Sequence, residues 1–163
     1  MTFWSNRELE PLRKYRFQVT FAGDVLWYAK SVTRPAFDVS VSEYQLINHK
    51  IKYPGIVTWN DVDIIIVDSV DKGRGKNYYG NLLNSGYAIG GETPDGIMKK
   101  ATHTNKSVTN VLIEQLDAAG ELHETWELIN PFVKSVKFGE LDYSSDDLLE
   151  ITITVAYDSA TLN

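Results

Sequence analysis

The segment Leu148-Leu149-Glu150-Ile151-Thr152-Ile153-Thr154-Val155-Ala156-Tyr157 decides the fold class, because its apolar residues recur at every second position. The odd positions from 149 to 157 are apolar, whereas the even positions from 150 to 156 are polar or small. Successive side chains of a strand point to opposite faces of a sheet, so this pattern predicts a strand with one buried face. The polar segment 139–147 before it predicts a connection at the surface.

The same alternation recurs along the chain and predicts a mainly β protein. Alternating runs joined by turn residues predict hairpins at 15–29, 37–55 and 107–129. In this interpretation the second hairpin ends at Pro54-Gly55, a dipeptide typical of turns. Residues 58–67 alternate first and then become continuously apolar, which predicts one central strand that passes from a half-exposed to a fully covered region.

One segment has helical spacing. Tyr78, Tyr79, Leu82 and Leu83 fall on one face between residues 76 and 85, which predicts a short helix. With a further strand at 133–138, the chain is predicted to be a single domain, residues 1–163: an antiparallel β-sandwich or barrel of about eight strands with one short flanking helix. Its remaining parts are an N-terminal arm (1–14), a long hairpin tip (42–58) and a long glycine-containing loop (86–105).

The composition excludes several classes of protein. The chain has 163 residues, of which 43% are hydrophobic, so one domain can bury a core. It has no cysteine, which excludes disulfides and cysteine nucleophiles. Its net charge of −6 argues against a nucleic-acid binder, because phosphate affinity depends on clustered cations. No segment has the apolar length of a membrane span or signal peptide, so we expect a soluble protein made in the cytoplasm without membrane anchoring.

The sequence motifs that resemble chemical sites are incomplete. The Gly73-Arg74-Gly75-Lys76 segment lacks the first glycine and the hydroxyl residue of a phosphate-binding loop. His123 and Glu127 lie four apart, but Glu127 stands where a zinc-binding helix needs its second histidine. Asp142, Asp146 and Asp147 lack the spacing of a calcium loop, which favours a solvated turn. We therefore predict no enzyme activity, no catalytic or metal residues and no cofactor.

Several segments, taken in order, resemble the tail tube proteins of T-even-like contractile phages. They are the hairpin strand Tyr15 to Phe21, the run Trp59-Asn60-Asp61-Val62-Asp63-Ile64, the turn Leu116-Asp117-Ala118-Ala119-Gly120 leading to Trp126, the link Asn130-Pro131-Phe132-Val133, and the closing run from Leu141-Asp142-Tyr143 to Tyr157. The resemblance covers most of the chain. The tube proteins of pyocin-like particles and the needles of type VI secretion share the design.

The resemblance implies a structural virion protein that forms hexameric rings, which stack into the inner conduit of a contractile tail. It implies tail sheath and baseplate proteins as partners, DNA only as a non-specifically passing cargo, and assembly in the bacterial host cytoplasm. It also implies that the long hairpin contacts the neighbouring ring. The residues expected in that contact are Tyr44, Gln45, Leu46, Ile47, Asn48, His49, Lys50, Ile51, Lys52 and Tyr53.

The free faces of the second and third hairpins provide candidates for the wall of such a conduit. The residues hypothesised to face the lumen are Asp38, Ser40, Ser42, Glu114, Glu121 and Glu127. With the acidic net charge, these residues predict a polar and mainly acidic wall that repels DNA phosphates. The alternative is that they form a solvated outer surface, since alternation does not decide which face turns inward.

Two other functions fit the same sequence. A tube initiator, a tube terminator or a baseplate hub protein would have the same fold as the major tube subunit. A carbohydrate-binding β-sandwich would use exposed Trp and Tyr side chains as stacking platforms. Most aromatic residues, however, fall on the apolar side of the alternation, which disfavours sugar binding.

Overall fold

The computed structural model describes residues 12–69 and 110–163, together with five helical positions between them. These positions are Lys76, Asn77, Tyr79, Gly80 and Leu83, and all of them fall within the predicted helix. The predicted loop 86–105, most of the N-terminal arm and the glycine-rich segment 70–75 lie outside the described residues.

The described part of the chain contains eleven strands. They are β1 (Phe17–Phe21), β2 (Asp24–Val25), β3 (Ala29–Val32), β4 (Phe37–Leu46), β5 (His49–Trp59), β6 (Val62–Val67), β7 (Val111–Leu116), β8 (Leu122–Ile129), β9 (Phe132–Lys137), β10 (Glu150–Ala156) and β11 (Ser159–Leu162). One sheet has five strands in the order β11-β8-β7-β1-β2, and a second has four in the order β3-β6-β10-β9. Strands β4 and β5 form a separate two-stranded sheet. All strand pairs are antiparallel.

The core lies between the first two sheets, as in a β-sandwich. On β10 the odd positions Ile151, Ile153 and Val155 are fully buried, as their alternation predicts. Strand β6 presents its own buried side chains from the same sheet, and β1, β7 and β8 supply the facing layer. The cluster consists of Val19, Phe21, Val62, Ile64, Ile66, Val111, Ile113, Leu128, Ile151, Ile153 and Val155. The mainly β, antiparallel fold class is therefore confirmed, although the three sheets formed by residues 12–69 and 110–163 do not close into a barrel.

The first and third predicted hairpins are present, and β6 is a central strand. Strand β1 turns into β2 through Ala22 and Gly23, both of which have positive φ. Strand β7 pairs with β8 across the turn at 117–120. Strand β6 lies between β3 and β10. The alternating runs with clear turn residues were thus reliable guides to strand pairing.

The second hairpin differs from the prediction at Pro54-Gly55, which is not a turn. The chain reverses at Ile47-Asn48, where Leu46 pairs with His49, and β5 continues through Pro54 to Trp59. Gly55 instead lies at a β-bulge, where the register shifts between Val39 and Val41. A Cβ atom there would collide with the Ser40 hydroxyl. That hydroxyl accepts a hydrogen bond of 2.8 Å from the Ile56 N–H, so this backbone donor has a partner even where the bulge interrupts the strand pairing.

The predicted single strand 58–67 is two strands in different sheets. Strand β5 ends at Trp59, and β6 begins at Val62 after Asn60 and Asp61. The Asn60 N–H donates to the Ala36 carbonyl at 2.8 Å, so the chain is held at the base of the hairpin where it changes sheet. Apolar residues alternate on both sides of this junction, although only β6 has a buried face, and the sequence pattern therefore conceals the break.

Candidate assembly surfaces

The hairpin β4–β5 is the most exposed element of the described structure. All ten residues of β4 are exposed, and so are nine of the eleven residues of β5. Neither strand pairs with any other described strand, so both outer edges present free backbone groups. Its base is anchored by aromatic contacts, with ring centroids 5.3 Å apart for Phe37 and Trp59 and 6.0 Å apart for Trp59 and Tyr157. Burial at this anchor raises the pKa of Tyr157.

The apolar face of the hairpin changes side along its length. Near the base, the odd positions Phe37, Val39 and Val41 are apolar, while the even positions 38, 40 and 42 are polar. Beyond Val41 the pattern is reversed, because Glu43 and Gln45 take odd positions whereas Tyr44 and Leu46 take even ones. Base and tip therefore expose apolar side chains on opposite faces. One flat partner surface cannot cover both.

The hairpin tip, defined here as residues 43–53, contains every residue predicted to contact a neighbouring ring. Ile47 at the turn is 97% exposed, and Tyr44, Leu46 and Tyr53 are also exposed. On the opposite face, the Glu43 carboxylate lies 3.1 Å from the Lys50 Nζ and 3.7 Å from the Lys52 Nζ. Exposed ion pairs of this kind contribute little stability. The tip is thus an apolar projection with two lysines that share one carboxylate.

The six residues hypothesised to face the lumen fall into three groups. Asp38, Ser40 and Ser42 share one face of β4, where Asp38 accepts a 2.9 Å hydrogen bond from the Asn60 side chain. Glu114 and Glu127 are partly buried residues of adjacent strands in the five-stranded sheet, and Glu114 accepts a 3.1 Å hydrogen bond from Gln18. Glu121 lies in the turn before β8, where its N–H donates to Asp117 at 2.9 Å. Only the first group belongs to the projecting hairpin.

A second exposed surface is the acidic loop, defined here as residues 138–149. The sequence predicted only a solvated turn in this region, yet Leu141, Tyr143 and Leu148 are exposed on it, and Tyr143 has no measurable burial. The Asp142 carboxylate accepts hydrogen bonds from the Ser144 N–H at 2.9 Å and from the Ser144 hydroxyl at 2.7 Å. The sequence signal that could have identified this candidate surface is the spacing of apolar side chains among carboxylates.

The hydrogen bonds from Ser144 to Asp142 stabilise a local turn in the acidic loop while that carboxyl is ionised. The backbone N–H of Ser144 and then its hydroxyl lower the pKa of Asp142. A carboxylate with a lowered pKa in the folded state stabilises that state above its ordinary pKa. This contribution is lost as the pH falls through the lowered value. The local turn is therefore intact at neutral pH and weakens only in acid.

Gly139 fixes the start of the acidic loop, and its replacement should cost more than that of a matched glycine. Gly139 and Gly120 have φ of +81° and +83°. A Cβ atom at Gly139 would lie 2.7 Å from the Glu150 carbonyl oxygen, whereas one at Gly120 meets nothing within 4 Å. We expect Gly120→Ala to cost about 1 kcal/mol and Gly139→Ala about 3 kcal/mol. Thermal melts of both variants measure this difference, and equal melting temperatures would contradict the assigned contact.

Among the described residues, no three His, Asp or Glu side chains are grouped so that they could hold a metal ion. In that same part of the chain, no helix is long and apolar enough to cross a membrane.

The fold is similar to that of tube-type proteins of contractile injection systems. A chain of the PVC sheath/tube terminator in its extended state, from an extracellular contractile injection system, matches with a TM-score of 0.72 and 19% identity over 96% of this chain and 99% of that one. The tube-terminating cap of the anti-feeding prophage matches with a TM-score of 0.72 and 19% identity over 98% and 95%. Hcp1 from Flavobacterium johnsoniae matches with a TM-score of 0.52 and 10% identity over 91% and 95%.

These matches define the class of fold, which is that of contractile-system tube and terminator proteins. No protein-family model matches the chain, and no curated protein matches it by sequence. The resemblance to tail tube proteins is confirmed at the level of the fold.

Proposed function

We propose that this protein is a structural tube subunit of a contractile tail or injection particle, rather than an enzyme. In this proposal six copies form a ring, and rings stack into the inner tube of the particle. The tail sheath and baseplate are its partners, and assembly takes place in the bacterial cytoplasm. The observation that carries the proposal is the projecting hairpin β4–β5, which extends from a tube-like sandwich and pairs at neither edge with another described strand.

Unpaired strand edges favour assembly because each edge carries free N–H and C=O groups. A free edge is a template for pairing with another chain, and ring closure removes the hazard by pairing every edge. Strand β4 of one copy would pair with β5 of the next. This contact is heterologous, and it forms a closed ring when the rotation between neighbouring copies is a whole fraction of a full turn. The apolar face at the hairpin base, with Phe37, Val39 and Val41, would then be covered within the ring.

The polar face of the hairpin base would line the lumen in this arrangement. Asp38, Ser40 and Ser42 share that face. Asp38 is the one charged residue at the even positions of β4. Glu114, Glu121 and Glu127 belong to the five-stranded sheet or its turn, so their place on the wall is a weaker part of the proposal. A polar, anionic wall repels phosphates and lets DNA pass without binding.

Charge reversal on the hairpin tests the lumen assignment. We expect tubes of the unmodified protein to retain no added double-stranded DNA. Tubes of Asp38→Lys combined with Ser42→Lys should retain DNA, with binding that weakens steeply as salt rises. Glu127→Lys tubes provide the comparison for the five-stranded sheet. DNA retention is measured by co-sedimentation, and equal retention by parent and Asp38→Lys, Ser42→Lys tubes would contradict the lumen assignment.

A tube terminator is the second candidate. The two structures with a TM-score of 0.72 are described as a sheath/tube terminator and a tube-terminating cap. A terminator would have the same ring-forming hairpin but would end the stack rather than extend it.

Electron microscopy of the purified protein separates these candidates. Sixfold rings that grow into tubes are expected for the major subunit, and rings that do not elongate are expected for a terminator. A protein that stays monomeric at high concentration, with no ring in any field, would overturn both.

A further inference from the structure

The hairpin tip and the acidic loop leave opposite ends of the four-stranded sheet. Strand β6 begins at Val62, opposite Val155, and ends at Val67, opposite Glu150. The hairpin β4–β5 enters the sheet at Val62, whereas the acidic loop enters it at Glu150. The two most exposed apolar surfaces of the described chain therefore belong to opposite ends of one central strand pair.

The two surfaces also differ in charge. The acidic loop contains the carboxylates Glu140, Asp142, Asp146 and Asp147 and no cationic side chain. Lys30 is attracted to Asp147, but its ion pair is with Glu150, outside the loop. On the hairpin tip, Lys50 and Lys52 share the single carboxylate of Glu43. The tip therefore has a surplus of positive charge, and the loop a larger surplus of negative charge.

We propose that the hairpin tip of one copy docks against the acidic loop of a copy in the adjacent ring. The proposal rests on the tube function proposed above, and it names the surface that receives the tip. Ile47 at the turn and the apolar face of the tip would pack on Leu141, Tyr143 and Leu148. Lys50 and Lys52 are on the other face of the tip, so the loop would reach round the turn to place Asp146 and Asp147 near them. Buried apolar area supplies the affinity, and the complementary charges set the register of one ring on the next.

This contact has a direction, and the direction explains how a stack can grow. The tip and the loop are different surfaces, so the contact is heterologous and leaves a free tip at one end and a free loop at the other. Each added ring presents the same two surfaces again. The reversal of the hairpin's apolar face at Val41 fits this arrangement, because the base is then covered within a ring and the tip between rings.

Cysteine trapping tests the contact directly, because the chain has no cysteine of its own. In assembled tubes, a protein carrying both Ile47→Cys and Tyr143→Cys is treated with a short bis-maleimide and analysed by denaturing electrophoresis. A ladder of covalent oligomers beyond the dimer is expected, because each copy is linked to one copy above and one below. Either single variant can give dimers at most. Ile47→Cys with Leu122→Cys is the matched control, since Leu122 is an exposed apolar residue of the five-stranded sheet.

Charge exchange provides a second and independent test. Lys50→Glu with Lys52→Glu, and Asp146→Lys with Asp147→Lys, should each reduce tube length at least about tenfold while leaving single rings. Combining the four substitutions should restore most of that length. Restoration supports the contact, whereas a quadruple variant as short as the double variants would overturn it.

The outcomes separate this inference from the tube function. Normal tubes that give no ladder overturn the tip-to-loop contact and leave the tube function in place, with the acidic loop free for another protein such as the sheath. A parent protein that forms neither rings nor tubes overturns the tube function, and the inference falls with it.

Discussion

Ile153→Asp is expected to destabilise the isolated subunit by about 4 kcal/mol, which is a large share of the total free energy of unfolding of an ordinary domain. Ile153 is fully buried and pairs with Ile64 and Val136, so an aspartate there would place an unpaired charge in an apolar core. The expected result is loss of the β signal in circular dichroism or a much lower melting temperature.

Thr152→Asp is the matched control, one residue away on the opposite face of β10. Thr152 is partly exposed and pairs with Lys137, whose ammonium can attract the new carboxylate. We expect this variant to lose less than about 1 kcal/mol. Equal melting temperatures for the two variants would mean that the burial pattern of β10 is wrong.

The central strands could be predicted from sequence because their side chains alone decide which face is buried. On β10 the isoleucines and valine alternate with glutamate and threonine, so only one register places every apolar side chain in the core. The turn at 117–120 was equally clear, because Asp117 accepts hydrogen bonds from the backbone N–H groups of Ala119 and Glu121. These are local rules, and they hold where local and tertiary preferences agree.

The hairpin shows where local rules are insufficient. Pro54-Gly55 is typical of a turn, yet Pro54 lies on a strand edge that needs no N–H donor, and Gly55 gives room to the Ser40 hydroxyl. Both residue types therefore have a second use in a bulge. Sequence alone also underestimated the number of strands, because β3 and β11 are too short to show a period of their own.

The candidate surfaces were only half predictable. The tip could be named because the resemblance pointed to the hairpin, but the acidic loop has no strand or helix period and was interpreted as a solvated turn. Its position opposite the hairpin depends on the register between β6 and β10, which a single sequence does not give. The opposite charges of the hairpin tip and the acidic loop can be interpreted as a contact between rings only when that register is known.

Shortening the hairpin should abolish stacking of rings without unfolding the subunit. Glu43 pairs with Lys52, so replacing residues 44–51 by Asn-Gly leaves this pair next to a two-residue turn and keeps the register of β4 and β5. The deleted residues lie outside the core cluster, and loop shortening has a small thermodynamic cost. The melting temperature is therefore expected to change little.

The same deletion removes Tyr44, Leu46 and Ile47, the exposed apolar side chains that would bury area against the adjacent ring. The hairpin base, with its free edges, is retained, so single rings should still form while tubes disappear from electron micrographs.

Asn48→Gly is the control, because it alters the turn but keeps every apolar side chain of the tip, and it should stack normally. Tubes of ordinary length from the shortened variant would show that the tip has no part in stacking. Loss of rings as well as tubes would assign the tip to contacts within the ring. We do not expect this outcome, because the apolar face of the hairpin changes side beyond Val41. Only the base has its apolar side chains on the side of Phe37 and Val39.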